Sequence, residues 1–188
     1  HKDVVLRALR MKRLANDIAD IVSGRAVHPI TPVPGGFSRI PEKAELLEIK
    51  RRLLEEALPD GLETIETMKA LAGAIPQFER ETEYVSLKHP DEYALYQGDI
   101  FSSDSGATPI SNYLDVTNEF VVNHSTSKHA KYNRSSYFVG ALARWNNNHA
   151  QLGEEAHAAA EAMGLKPNCY NPYMNTIAQV VEAVHCIL

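Results

Sequence analysis

Apolar residues recur at the helical period in several stretches of the chain, and this pattern predicts a mainly helical protein. In the first stretch, Val5 to Val22, leucines and isoleucines stand three to five residues apart, and Gly24 ends the helix. The basic residues of this helix, including Arg7 and Arg10, are expected to form a solvated face. The whole pattern predicts helices across residues 1–75 and 147–188.

Two local signals predict how these helical regions are divided. The run Pro59-Asp60-Gly61 interrupts an apolar stripe, and Asp60 with Glu63 resembles a capping box, which predicts that a second helix begins here. The two helices are expected to form a helical hairpin or a kinked pair. In the C-terminal region, Asn147 or Asn148 is expected to cap a helix that reaches Met163.

Alternating and β-prone residues replace the helical pattern between residues 83 and 122. They predict a small antiparallel sheet with long connections, and a short helix from Ile110 to Val116. The expected fold class is therefore α+β. We expect mainly helices packed as a bundle, with a small antiparallel β region on one side.

Length and composition fit one domain over residues 1–188, since 188 residues bury a sizeable core and no clean boundary divides them. Lys and Arg number 19 and Asp and Glu 24, so the net charge is −5, which disfavours nucleic-acid partners. No apolar run is long enough for a membrane-spanning helix. The only cysteines, Cys169 and Cys186, are too few for a disulfide scaffold and favour a cytoplasmic location.

Both ends of the sequence predict a piece of a longer protein. His1 stands where a start methionine is expected, and the apolar period is still in phase at Leu188.

The most informative loop covers residues 24–37, which include three prolines and three glycines. Prolines stiffen such a segment, and Gly35-Gly36 permits backbone angles closed to other residues. This loop carries Arg25 and His28, and His28 is the best functional candidate. Two interpretations of His28 are equally good: a proton carrier, or a loop histidine whose nitrogens bond backbone carbonyls.

Other candidates have simpler interpretations. His124 and His129, with Ser125 nearby, are expected to form a polar surface loop because no acidic partner is specified. His149 and His157 are placed two turns apart on one predicted helix, which is too far for one metal ion without a third ligand.

Each cysteine is expected to be buried and inert, because no second thiol stands beside Cys169 or Cys186.

Four landmarks, in the same order, resemble the large (alpha) subunit of nickel–iron hydrogenases. The resemblance covers essentially the whole chain and is to the cytoplasmic group coupled to nicotinamide or deazaflavin partners. The landmarks are Leu9 to Ile21, Gly24 to Phe37 (including Arg25-x-Val27-His28-Pro29 and Pro34-Gly35-Gly36-Phe37), Tyr137 to Asn146, and Asn171-Pro172 to His185.

The resemblance implies a helical core of the large-subunit type and a parent that oxidises hydrogen reversibly. Electrons would pass to the iron–sulfur clusters of a small subunit, then on to electron-carrier subunits. The family holds its nickel–iron centre with two Cys-x-x-Cys pairs, and neither is present here. We therefore expect no cofactor or metal in this chain, although the parent has a nickel–iron centre, and no activity from the chain alone.

The resemblance also implies roles for individual residues. His28 and Arg25 would lie next to the metal ligands and guide protons or position the site. Glu119 is a weaker candidate for a proton path, whereas Lys128 and Arg144 are expected to pack or form ion pairs.

Two other functions stay open. One is a non-enzymatic helical module for assembly that associates with itself. The other is a small helical metal enzyme that uses His149, His157 and an acidic residue.

Overall fold

The computed structural model describes residues 2–188, which form α-helices and short strands, so the α+β class is confirmed. In chain order the elements are α1 (Lys2–Ser23), β1 (Pro32–Val33), β2 (Gly36–Phe37), α2 (Lys43–Arg52), α3 (Leu58–Leu71), β3 (Glu83–Lys88), β4 (Asp99–Ser102), β5 (Gly106–Thr108), β6 (Asn118–Phe120), β7 (His129–Lys131), β8 (Tyr137–Phe138), α4 (Ala141–Asn148), α5 (Glu154–Ala162) and α6 (Asn175–Ile187).

The chain divides into two compact units. The first contains the residues up to Met68 together with Cys186–Leu188, and the second contains Lys69–His185. No helix of residues 2–188 is sufficiently long and apolar to cross a membrane.

In the first unit, the basic residues of α1 are exposed as expected, with the exception of Arg7. Arg7 is buried, donates from Nε to Thr64 Oγ1 at 3.2 Å and pairs with Glu63. Arg10 makes a two-pronged contact with Asp60, at 3.1 and 2.7 Å. Carboxylates and hydroxyls at the start of α3 compensate the burial of a guanidinium, which no periodicity in α1 alone could indicate.

Of the two predicted arrangements, the helical hairpin is wrong, and so is the cap at Asp60, because two helices follow one another without a loop. A π-helical turn, Leu53–Ala57, joins α2 directly to α3, and Pro59 is the second residue of α3. Proline has no N–H and its ring crowds the preceding turn, so a helix with proline needs a local adjustment. The wider π turn supplies it, and the helix continues without a loop.

The largest sheet lies in the second unit, with strand order β5-β4-β3-β8. Strands β3, β4 and β5 pair antiparallel, as predicted. The prediction of a wholly antiparallel region ending at 122 is wrong, because β8 joins β3 in parallel, with Glu83 opposite Tyr137 and Tyr84 opposite Phe138. A separate antiparallel pair, β6–β7, also extends beyond 122. Such short strands have too few residues to show alternation.

The core of the second unit lies where α4 packs on β3 and where α5 and α6 bury their apolar sides. Leu142 and Ile177 are fully buried. Helix α4 begins after Gly140, whose φ of 88° suits glycine, and Asn175 Oδ1 accepts the Leu142 N–H at 3.1 Å.

The predicted cap at Asn147 or Asn148 is wrong. Both residues belong to α4, and α5 begins at Glu154 after Gly153. Their amides instead bind strand β3: Asn147 Nδ2 donates to Ser86 Oγ at 2.9 Å, and Asn148 Nδ2 donates to Leu87 O at 2.9 Å.

The buried tyrosine of β3 makes stability sensitive to alkaline pH. Burial raises the pKa of Tyr84 to about 12. In the unfolded chain this phenol ionises at pH ~10. The contribution of the buried, protonated phenol to the free energy of unfolding is therefore intact below that pH and is lost as pH rises toward about 12. Urea unfolding across this range should show the decline. Tyr84→Phe should reduce the fall in the free energy of unfolding with rising pH. Tyr96→Phe should leave this fall unchanged, because Tyr96 is 88% exposed.

Candidate functional site

The loop predicted from the prolines and glycines is fixed to the end of α1. Thr31 is buried, and its hydroxyl donates to Val22 O at 2.8 Å. The Ile30 N–H donates to Ser23 O at 2.9 Å, and Gly24 has a φ of 81°. A Cβ at Gly24 would lie 2.9 Å from Ile30 Cγ1, so both the backbone angle and the packing require glycine here. The base of this loop is therefore rigid.

Arg25 and His28 meet on the exposed side of this loop. The Arg25 Nε donates to the backbone carbonyl oxygen of His28, and both residues are exposed. His28 has a φ of 56°, a left-handed conformation that few residues other than glycine adopt. The guanidinium thus holds the backbone on which the imidazole is carried. The structure brings the two predicted residues together through the Arg25 guanidinium and the His28 main chain, and not through the His28 imidazole.

Apolar side chains surround this pair. Val27, Ile30 and Phe37 are 66%, 55% and 62% exposed, and Ile40 just beyond the hairpin β1–β2 is 79% exposed. Exposed apolar clusters of this kind, edged by polar groups, are typical of surfaces that contact other proteins. The loop therefore presents an imidazole and apolar groups outward and does not enclose a reaction chamber.

Lys128 and Arg144, which were expected to pack or form ion pairs, each pair with a carboxylate. Lys128 Nζ lies 3.0 Å from Glu119 Oε2, and both side chains are exposed. Arg144 contacts Glu182 with two parallel hydrogen bonds of 2.6 and 2.8 Å. Tyr93 also donates to Glu182, at 2.8 Å, and burial with this carboxylate raises the pKa of the Tyr93 phenol. Arg144 therefore ties α4 to α6.

His124 and His129 have ring centroids 5.5 Å apart, in an edge-to-face arrangement, and both are exposed. Edge-to-face packing is a ring contact and not a hydrogen-bonded relay, so this pair fits the expected polar surface loop.

Sequence reasoning missed a buried carboxylate at the start of β3. Glu83 is fully buried and accepts hydrogen bonds from Ser102 Oγ at 2.6 Å, Asn133 Nδ2 at 2.7 Å, and the backbone N–H groups of Asn133 and Arg134 at 3.0 and 3.1 Å. These bonds hold the segment before β8 against β4. The position of a charged residue directly before the apolar pair Tyr84-Val85 could have indicated that this carboxylate is buried.

His149 and His157, which the sequence predicted to lie two turns apart, contact the same side chain in the structure. Residues 149–151 form a 3₁₀ turn after α4, and α5 begins as a separate helix at Glu154. Both imidazoles consequently pack on Trp145, with ring centroids 5.4 Å and 6.1 Å from the indole. The assumption of one continuous helix was wrong, because Leu152 and Gly153 lie outside any helix.

Comparison with known proteins gives consistent relatives. The chain is 35% identical over 96% of its length to the alpha subunit of Sulfhydrogenase 1 from Pyrococcus furiosus. It is 29% identical over 77% of its length to a subunit of the F420-non-reducing hydrogenase vhu from Methanocaldococcus jannaschii. The chain is homologous to part of the hydrogenase alpha subunit. This confirms the resemblance predicted from the four landmarks.

The hydrogenase-like chain spans 42% and 38% of the length of these two relatives. Its fold matches the crystal structure of an NAD⁺-reducing [NiFe]-hydrogenase with a TM-score of 0.79 at 21% identity, over 99% of this chain and 46% of the other. No family model matches the sequence.

The donor groups of the chain do not fit a nickel–iron centre of the kind that the family carries. Among residues 2–188, no three His, Cys, Asp or Glu side chains are placed together as metal ligands. Cys169 is half-buried, and burial raises the pKa of its thiol, which disfavours the thiolate that metals need. Its backbone is held by Asn146 through reciprocal bonds of 2.9 and 3.0 Å. Cys186 is exposed, which corrects the expectation that both cysteines are buried.

Proposed function

We propose that this chain is the central part of a nickel–iron hydrogenase alpha subunit whose complete form oxidises hydrogen reversibly. The observation that carries the proposal is the 35% identity to the alpha subunit of Sulfhydrogenase 1 over 96% of the chain. In that form, electrons would leave through an iron–sulfur small subunit to electron-carrier subunits. We place the protein in the cytoplasm, in the group coupled to nicotinamide or deazaflavin carriers.

The chain itself would supply scaffold and no metal ligand. The buried faces of α4, α5 and α6 support a helical bundle as the core of the subunit, since they consist mainly of Ala, Leu, Ile and Val, with Trp145 and Asn148 on α4. When bound, the nickel–iron centre would supply the site at which hydrogen is split. Thiolates outside this sequence would hold the centre, because its two cysteines number fewer than the four that the centre needs.

Arg25 and His28 would act beside that centre or at the surface of the small subunit. Arg25 fixes the backbone of His28, and the imidazole carried on it can hold a proton or bond a neighbouring chain. The rigid base at Thr31 supports the same role. In the full-length subunit, His28→Ala should weaken assembly or slow hydrogen turnover, whereas Arg25→Ala should produce a smaller loss of the same kind.

We predict that the isolated chain neither binds the nickel–iron centre nor turns over hydrogen. Metal analysis after expression with nickel and iron supplied should find far less than one nickel per chain, and hydrogen-dependent dye reduction should stay at background. Intact helical circular dichroism is the control that the chain is folded. One nickel and one iron per chain together with dye reduction would show that the proposal is wrong.

The second candidate function is a non-enzymatic assembly module that binds a second copy of itself. The exposed apolar residues of α1 favour it: Val5 and Leu9 are 57% and 56% exposed, although the helical pattern predicts a buried stripe. Light scattering would separate the two functions. A stable dimer that Leu9→Ser dissociates would support the assembly module, and a monomer at all concentrations would exclude it.

A further inference from the structure

A cavity of about 270 Å³ lies in the second unit, where β8 joins β3. Its lining comes from the segment that enters β3, from β8 and from the residues that follow Cys169. The lining residues that carry the argument are Phe78, Arg80, Tyr84, Tyr137, Phe138 and Tyr170. The proposed hydrogenase role assigns nothing to these side chains.

Hydrogen bonds between distant segments hold the cavity in shape. The Arg80 N–H donates to the backbone oxygen of Tyr170 at 3.0 Å. The Tyr84 hydroxyl donates to the backbone oxygen of Cys169 at 3.1 Å. Both bonds tie the segment that enters β3 to the segment after α5, so the walls are in place before a ligand arrives. A preformed site lowers the cost of ordering that binding otherwise carries.

Aromatic rings make up most of the lining, and some of them are open. Tyr84 is 3% exposed, and its ring packs against Phe138 and Tyr170 with centroids 5.8 and 6.1 Å apart. Phe78 is 51% exposed and Tyr137 is half-buried. In the described part of the chain no other ring packs on either of these two. Their surfaces are therefore free to contact a further ring, stacked or edge to face.

Arg80 is the charged residue of the described lining, and its guanidinium has no hydrogen-bond or ion-pair partner within residues 2–188. Glu79 and Glu81 flank it in the chain, but Glu81 pairs with Arg134 at 3.1 Å. The other two arginines of the second unit, Arg134 and Arg144, both contact carboxylates. Arg80 therefore keeps its donors for an anion that the cavity receives.

We propose that this cavity binds a small aromatic carboxylate, a single ring that carries one COO⁻ group. The ring would lie against Phe78 and Tyr137, and the Arg80 guanidinium would donate two parallel hydrogen bonds to the carboxylate. A volume of about 270 Å³ accommodates one ring and is small for a nucleotide. Free phosphate fits less well, because aromatic walls offer it no donors.

The test is calorimetric titration of the chain with benzoate. We expect one site per chain and a Kd of about 0.1–1 mM. Benzyl alcohol keeps the ring without the charge, and acetate keeps the charge without the ring. Each should bind at least about tenfold more weakly than benzoate. Saturation-transfer NMR should show the ring protons of benzoate in contact with the protein.

Variants assign the site to named residues. Arg80→Gln and Phe78→Ala should each weaken benzoate binding about three- to tenfold. Arg13→Gln is the matched control for the charge, because Arg13 is exposed and equally unpaired among residues 2–188 but does not line the cavity. Tyr96→Ala is the control for the ring, since Tyr96 is 88% exposed outside this cavity.

Three outcomes would overturn the proposal. The first is no saturable heat with benzoate while circular dichroism shows a folded chain. The second is equal affinity for benzoate and benzyl alcohol, or for benzoate and acetate, which would mean that ring and charge are not read together. The third is unchanged benzoate binding in both Arg80→Gln and Phe78→Ala, which would place the ligand elsewhere on the chain.

Discussion

Replacing Glu83 by alanine is expected to lower the free energy of unfolding by about 3–4 kcal/mol. The carboxylate is fully buried and accepts four hydrogen bonds, from Ser102, Asn133 and Arg134. Alanine would leave these donors inside the protein without an acceptor, and each buried unsatisfied donor costs free energy that no packing gain offsets. Urea unfolding followed by circular dichroism measures the loss directly.

Two further variants separate this cause from a general effect of mutation. Glu83→Gln should cost less than alanine, because the amide oxygen still accepts while its NH₂ group opposes the remaining donors. Glu92→Ala should be nearly neutral, since Glu92 is exposed. If Glu83→Ala unfolds at the same urea concentration as wild type, the buried carboxylate does not hold the segment before β8 in place.

Leu142→Ala is expected to destabilise the second unit by about 3 kcal/mol. Leu142 is completely buried in the first turn of α4, where this helix packs on β3. Removing its branched end leaves a cavity, because the helix start is held by Asn175 and cannot collapse inward. The expected result is a fall in the midpoint of thermal and urea unfolding.

Val139→Ala is the matched control for Leu142→Ala. Val139 lies three residues earlier and is 56% exposed, so its loss should change stability by less than about 0.5 kcal/mol. Leu142→Met, which keeps the volume, should recover most of the stability. Equal effects of the two alanine variants would show that burial at residue 142 does not decide the stability of this unit.

The elements that the sequence predicted well are those whose evidence is local. The helical period of α1 and α6 and the loop of residues 24–37 followed from residue spacing, glycine and proline alone. The association of Arg25 with His28 was also within reach, because three residues in a stiff loop cannot separate far.

The features that the sequence did not predict depend on partners distant in the chain. The pairing of β8 with β3 joins residues more than fifty positions apart. The burial of Arg7 depends on Thr64 and Glu63, and the acceptor role of Glu83 depends on Asn133. The contacts of His149 and His157 with Trp145 depend on the interruption of the helix at Leu152 and Gly153. The apolar period continues in phase across this interruption and gave no sign of it.

The sequence by itself determined the helical content, the rigid loop and the relationship to hydrogenase alpha subunits, since each rests on local spacing or on residues in a fixed order. Only the tertiary structure decided which charged groups are buried, which imidazoles share an indole, and that Arg25 holds a backbone carbonyl and not the His28 ring. The reason is physical. Burial and hydrogen-bond pairing are properties of groups brought together by folding, and the free energy of a polar group depends on the partner it finds there.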